Sequence, residues 1–488
     1  MPQAGFSCPV AALAPPRDFR RIVQTSHMIL IYGKGKVGQG VAALCDYLKL
    51  AYEIRDDADG ATDFSKYAEI VPSPGVPQTH AVYATGKVTS ELDFGYRRLP
   101  KRGFRIAAVT GTDGKSTTTW ALHSVLRGEF GDRAHITGNW DDSFCTTVLQ
   151  ILKSKARSGW LAVEVSSFMA YSLKEFAPDW SIFTNFESDH LNWHPSLAEY
   201  FRAKWRLMER TKSRCVVTPA VLEKAKAYGV DVKKVPLRIF GVASAPGACL
   251  SFASAKKAMR PGSEPQIAVL RDRVENGKLF VSGRAKYELS GMALKGDHNA
   301  LNLLAVAVVA NEAKICSKRT KKYLEKVGGL PHRIETIGTA AGVRFVDDSK
   351  ATTPQALRAA LSAFTKPVVL IAGGSDKGAD FAELAPDFTA KVAKAFLIGA
   401  TRKAVAKGLE LAKRPYEMCD EEKDGAAAMR WAVEKAFAAA QALDADAVLL
   451  SPGCASFGLF KDYADRAQKF QAEAKKAKGF KAAEGAGH

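Results

Sequence analysis

The sequence is poor in the features that mark membrane, secreted and metal-clustered proteins. Its eight cysteines stand singly, at 8, 45, 145, 215, 249, 316, 419 and 454. None forms a Cys-x-x-Cys pair, so neither a zinc site nor a disulfide framework is indicated, and a reducing, cytoplasmic setting fits. No apolar run approaches the ~18–20 residues that span a bilayer; the nearest, Asn299 to Ala313, is shorter and polar at both ends. The N-terminus has no basic start followed by an apolar core, so no secretory signal is expected. Heptads, internal repeats and nucleic-acid-binding signatures are lacking too.

What is present is an ordinary apolar content, 47% of 488 residues. That is enough for several cores and, at roughly 100–200 residues each, for two to four domains. Seventy Lys+Arg against 51 Asp+Glu leave a formal charge of +19. Such a field attracts anions, whether phosphorylated small molecules, nucleic acid or a membrane surface. Part of the excess is C-terminal, where Arg466, Lys469, Lys475, Lys476, Lys478 and Lys481 face only Asp465, Glu473 and Glu484. A solvated helix fading into a basic, disordered tail over 471–488 is expected there.

From Met28 onward, short apolar runs alternate with amphipathic stretches. Met28–Tyr32, Ile106–Thr110, Leu161–Val165, Ile182–Asn185, Cys215–Thr218, Val343–Val346, Val368–Ala372, Ala395–Ile398 and Ala447–Ser451 read as buried strands. Alternating strand and helix patterns argue for an α/β chain with mainly parallel, helix-covered sheets. Breaks fall at the basic stretch 97–103 and at Gly328-Gly329-Leu330-Pro331. The expected division is an N-terminal extension (1–26), a first Rossmann-like domain (27–100), a central domain (101–330), a third Rossmann-like domain (331–470) and the tail (471–488). Between 240 and 292 the pattern turns irregular and β-like, an elaboration of the central domain with no functional reading.

The strongest motif is Gly111-Thr112-Asp113-Gly114-Lys115-Ser116, followed by Thr117, between a strand and a helix over Ser116–Arg127. Glycines let backbone N–H groups close on phosphate oxygens, and a helix N-terminus favours negative charge. Lys115 can reach terminal phosphates and the Ser116 hydroxyl can coordinate Mg²⁺. The loop departs from the full phosphate-loop pattern, since Val109 stands where the first glycine belongs. A glycine-rich turn with a chance Lys-Ser is the plainer reading; strand, loop and helix in the required order weigh against it. Downstream, Glu164 ends a strand, and Asp189 and His190 follow another. Ligands of open α/β sheets collect at such C-terminal strand ends, and Mg²⁺ takes oxygen donors there. A lone histidine is more often structural; the joint placement favours a metal site.

The first domain carries Gly33-Lys34-Gly35-Lys36-Val37-Gly38 between strand and helix, with Asp56 and Asp57 about 20 residues on. This dinucleotide-type fingerprint is weak alone. A tight strand–helix turn, a nicotinamide site and a site for another nucleotide-like ligand all remain open.

Taken together, the motifs resemble the Mur ligases, from about Leu30 to Arg466. They are Val109-Thr-Gly-Thr-Asp-Gly-Lys-Ser-Thr-Thr118, Thr137-Gly-Asn-Trp140, Glu164-Val-Ser-Ser167, Thr184-Asn185 through Asp189-His190, and Lys204 in Phe201-Arg-Ala-Lys-Trp205. Gly296-Asp-His-Asn-Ala-Leu-Asn302, Leu330-Pro-His-Arg-Ile-Glu335, Asp347-Asp-Ser-Lys-Ala-Thr352, Gly373-Gly-Ser-Asp-Lys-Gly-Ala-Asp380 and Leu450-Ser-Pro-Gly-Cys-Ala-Ser456 follow in order. The resemblance implies three domains with a P-loop ATPase-like centre. It also implies ATP-driven amide bond formation through an acyl phosphate, in cytoplasmic peptidoglycan precursor synthesis. The branch it is most similar to adds D-glutamate to UDP-N-acetylmuramoyl-L-alanine.

By that resemblance Lys115 and Ser116 hold ATP and Mg²⁺, with Glu164 and His190 as further metal residues, two ions in all, and Asn139 contacts phosphate. Lys204 matches a lysine that the family carbamylates. Asn299, Asn302, Arg333 and Asp348 match positions gripping adenine, ribose or phosphate. Lys350, Thr352, Lys377 and Ser456 match D-glutamate positions, two lysines and hydroxyls suiting a dicarboxylate; Tyr463 stands where Phe is more familiar. Gly35, Lys36, Val37, Asp56 and Ser73-Pro74-Gly75 fall where the UDP-sugar would lie. The resemblance implies small-molecule substrates, a monomer, and no nucleic-acid or membrane partner. The Asp-Asn-Pro-Arg motif of the diaminopimelate-adding relative is missing. Competing readings are a Mur or folylpolyglutamate-type ligase with another amino acid, a basic nucleic-acid-binding protein on a ligase fold, marked by steep salt dependence, and an NAD-sensing module.

Overall fold

A computed structural model describes residues 28–100, 102–191, 193–243, 270–294, 296–375, 380–420, 424–456 and 458–483. The expected extension 1–26, residues 244–269 of the 240–292 elaboration and Lys377 lie outside the described residues. The chain divides into two compact units, Met1–Lys115 with Phe130–Ile239, and Ser116–Glu129 with Phe240–His488. No helix of the described residues is long and apolar enough to cross a membrane.

The first unit opens with β1 (Ile29–Tyr32), α1 (Lys36–Leu48), β2 (Tyr52–Arg55), β3 (Glu69–Pro72), α2 (Ala81–Ala84) and α3 (Glu91–Tyr96). Its first sheet is parallel, in the order β2-β1-β3. Then come, in chain order, β4 (Phe104–Thr110), α4 (Lys115–Phe130), β5 (Ala134–Gly138), α5 (Phe144–Lys153), β6 (Gly159–Glu164), α6 (Ser167–Tyr171), β7 (Trp180–Phe183), α7 (Leu197–Glu209), β8 (Arg214–Val217) and α8 (Pro219–Ala227); of these, Ser116–Glu129 of α4 belong to the second unit. Here the strand order is β8-β7-β4-β6-β5, all parallel. The runs Ile106–Thr110 and Leu161–Glu164 are buried throughout, as strands covered on both faces must be.

Two buried carboxylates bolt the first sheet to the second. Asp93 accepts from the backbone N–H groups of Lys174, Glu175 and Phe176 at 2.8, 2.8 and 2.6 Å. Glu91 Oε1 accepts from Cys145 N at the start of α5, at 2.5 Å. The helices α1 and α5 approach closely because Gly40 leaves no side chain between them; a Cβ there would strike the Ser143 and Thr146 hydroxyls.

In the chain, β9 (Leu237–Val242) leads from the first unit into the second. Its first residues pair with β8 and its last with β10 (Asp272–Glu275), which continues into the antiparallel β11 (Lys278–Val281) and β12 (Arg284–Glu288). The helix α9 (Asp297–Glu312) covers β10 and β11, and α10 (Ser317–Lys326) follows. A third sheet is built from β13 (Glu335–Ala340), β14 (Val343–Asp347), α11 (Pro354–Ser362), β15 (Val368–Ala372), α12 (Ala385–Lys391), β16 (Val392–Leu397), α13 (Arg402–Leu411), β17 (Tyr416–Met418), α14 (Gly425–Ala442), β18 (Ala447–Leu450), α15 (Tyr463–Ala474) and β19 (Lys481–Ala482). The order is β17-β16-β15-β18-β14-β13-β19, with only β13 reversed, so that its pairings with β14 and β19 are antiparallel. One face packs on α11, α12 and α13, the other on α14 and α15. Because β18, late in the chain, is inserted between β14 and β15, the loops leaving these three strands converge at their C-terminal ends, where open α/β sheets bind ligands.

The expectation of an α/β fold with mainly parallel sheets holds. The expectation of a disordered tail from 471 is corrected over 471–483. The helix α15 runs to Ala474, and β19 pairs with β13 at Thr339↔Lys481 and Gly338↔Ala482. Phe470, Ala474, Ala477 and Phe480 pack on the third sheet's core while the lysines face solvent. The charge run is therefore the outer side of an ordered element; residues 484–488 lie outside the described residues.

Burial pushes the Glu91 carboxyl up to about 7, against the lowering effect of the Cys145 N–H. An acid with a raised folded pKa binds its proton more tightly when folded. Its contribution to stability is thus full below the ordinary carboxylate value and lost as pH rises to about 7. At ~1.4 kcal/mol per unit the loss is on the order of 3 kcal/mol. Glu91→Gln is expected to flatten the fall of the urea unfolding midpoint between pH 5 and 7; an unchanged slope would show that Glu91 does not titrate there.

Candidate active site

The phosphate loop leaves β4 through Gly111, at φ +150°, and enters α4 through Gly114, at φ +74°. A side chain at Gly111 would collide with the Thr184 hydroxyl, so only glycine lets the strand end and the loop lie this close. The segment after β7 holds the loop from below. Thr112 N donates to Asn185 O at 3.0 Å, Asp113 N to Asn185 Oδ1 at 2.8 Å, and Thr184 Oγ1 to Asp113 O at 2.7 Å. Glu187 N donates to Thr112 Oγ1 at 3.0 Å. The Lys115 ammonium folds back over the loop to Thr112 O at 2.7 Å. Ser116 and Thr117 stand in the first turn of α4, where N–H groups without intrahelical partners collect.

Three further site residues surround this loop. Glu164, 1% exposed, ends β6. Its Oε1 accepts from Asn139 Nδ2 at 2.8 Å, and its Oε2 is buried with no hydrogen-bond partner. Lys204, 1% exposed, lies on α7 and donates from Nζ to Gly111 O at 2.6 Å. Burial, and then the charge of Lys115, hold its pKa well below that of an ordinary lysine. His190 adopts φ +54° and pairs through Nε2 with Asp189 Oδ2 at 3.3 Å. Burial lowers its pKa; Asp189 opposes this, and Lys204 and Lys115 reinforce it.

The neighbours of this set escaped the sequence reading. Tyr200 lies one turn before Lys204, its ring 4.6 Å from Lys204 Nζ and its hydroxyl 3.3 Å from Thr112 Oγ1. His194 is wholly buried, bonded through Nε2 to Ser167 Oγ at 3.0 Å, with its backbone N–H on His190 O at 2.9 Å. Burial, then Lys204 and His190, push its pKa down to about 4, so the ring is neutral. Spacing of four residues, to Lys204 and from His190, was the available signal for both.

At the first sheet, Gly35–Val37, Asp56 and Ser73–Gly75 follow the C-terminal ends of the three parallel strands. Gly33, at φ +115°, lies against Ser73 with no room for a side chain. Asp56 caps its own turn at Ala58 N and pairs with Lys34 at 3.3 Å. Tyr32 donates to Asp57 at 2.5 Å, with His80 at 3.1 Å from the same oxygen.

In the second unit, Asn302 Nδ2 donates to Asn299 Oδ1 along α9 at 3.3 Å. Arg333 is flanked by His332 and Ile334, at φ +60° and +48°. Asp348, just after β14, accepts from Ile334 N at 3.2 Å and Ser451 Oγ at 2.6 Å. Burial pushes its pKa up to about 6. His332 Nδ1 pairs with buried Asp347 at 2.8 Å, and Lys350 N donates to His332 O at 3.1 Å. Lys350 Nζ sits 5.2 Å from the Tyr463 ring centre. Thr352 is exposed before α11 and Ser456 is buried after β18. Arg466, on the buried face of α15, binds Ser349 and Cys454; the sequence reading took it for tail charge, though it falls one turn before the apolar Phe470.

Residues 109–310 match the Mur ligase middle domain, and residues 332–454 match the Mur ligase, glutamate ligase domain. A UDP-N-acetylmuramoylalanine--D-glutamate ligase of Hydrogenobaculum sp. is 30% identical over 464 residues, 92% of this chain and 98% of its own. Its namesake in Aquifex aeolicus is 30% identical over 455 residues, 91% and 97% of the two chains. The chain belongs to the Mur ligase family. In fold it is similar to the crystal structure of MurF from Acinetobacter baumannii, with TM-score 0.50 at 17% identity over 75% of this chain and 78% of that one.

Mur ligases are ATP-dependent and generally use Mg²⁺, a hard cation that takes oxygen donors. The first unit's residues fit such an ion, because Glu164 Oε2 is a buried carboxylate oxygen left without a partner. An unsatisfied charged oxygen costs several kcal/mol unless something neutralises it. Glu164→Gln keeps the oxygen that Asn139 binds and removes that charge. Mn²⁺ titration by electron paramagnetic resonance, with ADP present, is expected to show at least about ten-fold weaker binding, roughly 1.4 kcal/mol. Equal affinity in the variant would place the ion elsewhere.

Proposed function

We propose that this chain is a cytoplasmic, monomeric ligase that joins D-glutamate to UDP-N-acetylmuramoyl-L-alanine in peptidoglycan precursor synthesis, with ATP converted to ADP and phosphate. The observation that carries the ligase reading is the gathering of Lys115, the unpartnered Glu164 oxygen and the buried Lys204 amine around one glycine-rich loop. The choice of D-glutamate rests on relatives that bear that activity as their name. In this reading residues 27–100 take the UDP-sugar, 101–330 take ATP and 331–470 take the amino acid.

A free carboxylate is a poor electrophile. Transfer of the γ-phosphoryl group from ATP makes it an acyl phosphate. The neutral amine of D-glutamate then attacks the carbonyl carbon; the C–N bond forms, the C–O bond to phosphate breaks, and the amine gives up a proton. Such chemistry needs alignment and neutralisation of crowded negative charge. The backbone N–H groups of Gly111 to Thr117 cradle the phosphates, and Lys115, released from Thr112 O, follows the γ-phosphoryl group. Asn139 donates its amide to a phosphate oxygen. Ser116, Glu164, His190 and Lys204 hold two Mg²⁺ ions, which supply charge neutralisation when bound.

Lys204 takes part as a carbamate. Its burial favours the neutral amine, the form that attacks carbon dioxide; a C–N bond forms, a proton leaves to water, and a cation becomes an anionic oxygen ligand. Asn299, Asn302, Arg333 and Asp348 grip the nucleotide. Lys350, Thr352, Lys377, Ser456 and Tyr463 receive the amino acid, two ammonium groups matching two carboxylates. Gly35, Lys36, Val37, Asp56 and Ser73-Pro74-Gly75 receive the UDP-sugar.

Phosphate release with purified protein, ATP, UDP-N-acetylmuramoyl-L-alanine and a panel of amino acids tests this reading. D-glutamate is expected to raise the rate at least a hundred-fold over L-alanine, glycine and L-glutamate, with no release when the nucleotide sugar is left out. Release with another amino acid, and none with D-glutamate, would reject the assigned substrate.

A further inference from the structure

Arg466 is 0% exposed and one of the largest wholly buried side chains of the protein. It projects from the apolar face of α15, beside Ala467 and Phe470. Among the described residues its side-chain partners are two backbone carbonyls and one hydroxyl, none of them a carboxylate. Nε donates to Ser349 Oγ at 3.0 Å, Nη2 to Ser349 O at 2.8 Å, and Nη1 to Cys454 O at 3.1 Å. Burying a cation without an ion pair is costly, and an apolar side chain of equal volume often serves stability as well or better. Stability alone is a poor reason for this guanidinium.

Its partners give a better one. Ser349 lies one residue before Lys350, on the loop leaving β14, and Cys454 lies two before Ser456, on the loop leaving β18. A third loop, leaving β15, closes on the same point: a side chain at Gly374 would strike Ala455 O and crowd Arg466 Nη1, and Ser375 N donates to Ala455 O at 2.8 Å. Ser349 Oγ in turn donates to Tyr463 O at 2.8 Å. One planar fork thus sets the separation of the segments that bear Lys350 and Ser456.

We propose that Arg466 is a positioning residue that fixes the spacing of the amino-acid pocket and thereby its selectivity for a dicarboxylate of one length. This inference rests on the D-glutamate reading of the preceding section. Lysine cannot replace arginine here, because a point ammonium does not make three donations in one plane. Methionine keeps the volume and removes both charge and donors.

The test uses Arg466→Lys and Arg466→Met in the full chain, with thermal unfolding to establish that each variant folds. The KM for D-glutamate is expected to rise at least ten-fold in both, and the preference for D-glutamate over D-aspartate to fall at least five-fold. The KM for ATP should stay within two-fold, since Asp348 is held separately by Ser451 and Ile334. A structural role alone would lower the melting temperature or the fraction of active enzyme and leave that KM and that preference unchanged; this result overturns the proposal. Should neither variant fold, Ser349→Ala removes a single acceptor from the fork. A three-fold rise in the D-glutamate KM then supports the proposal, and none overturns it. If the wild type uses a different amino acid, the substrate reading fails, and the same KM split, read for that amino acid, decides the role of Arg466.

Discussion

The hydrogen bond from the Lys204 amine to the Gly111 carbonyl is the constraint around which the first unit's site is arranged. It draws α7 up behind the phosphate loop and places a lysine where water is excluded. A lysine in that position is held against its charged form by desolvation and by Lys115. The rest of the site follows from keeping this arrangement closed. Thr184 and Asn185 fasten the loop from below, Tyr200 covers the amine from the side, and the neutral His194 ties the His190 turn to Ser167. Glu164, with one oxygen satisfied by Asn139 and one left over, completes the cluster.

The second unit uses the same device with a different cation. Arg466, like Lys204, is buried and bonds to loop carbonyls, not to a carboxylate. Such a donor holds a loop's backbone in place. The loops so held leave β14 and β18, and the loop leaving β15 closes on them; the three strands lie side by side because β18 is inserted between β14 and β15. The strand order therefore brings these loops together, and the buried guanidinium ties two of them to each other.

Much of this was legible in the sequence, for identifiable reasons. Strands such as Val368–Ala372 and Ala447–Leu450 are unbroken apolar runs because both faces of a parallel sheet are covered. Strand β2, Tyr52–Arg55, is not legible because all four of its residues are half-buried and alternate in polarity, whereas β11 and β12 fall in the stretch read as irregular and β-like. The tail was misjudged by its lysines; the spacing of Phe470, Ala474, Ala477 and Phe480 carried the opposite signal. The phosphate loop could be read because its chemistry is contiguous in the chain. The parts played by Tyr200, His194 and Arg466 could not, since each depends on partners 27 to 117 residues away in sequence.

In the proposed function the amine behind Gly111 is buried to be modified and not merely to brace the loop. Carbon-13 nuclear magnetic resonance of the intact protein in ¹³C-bicarbonate tests this most directly. The account predicts a carbamate resonance at one equivalent per chain, stable at neutral pH and absent from Lys204→Met. A spectrum without that resonance, from protein that turns over its substrates at full rate, would contradict it.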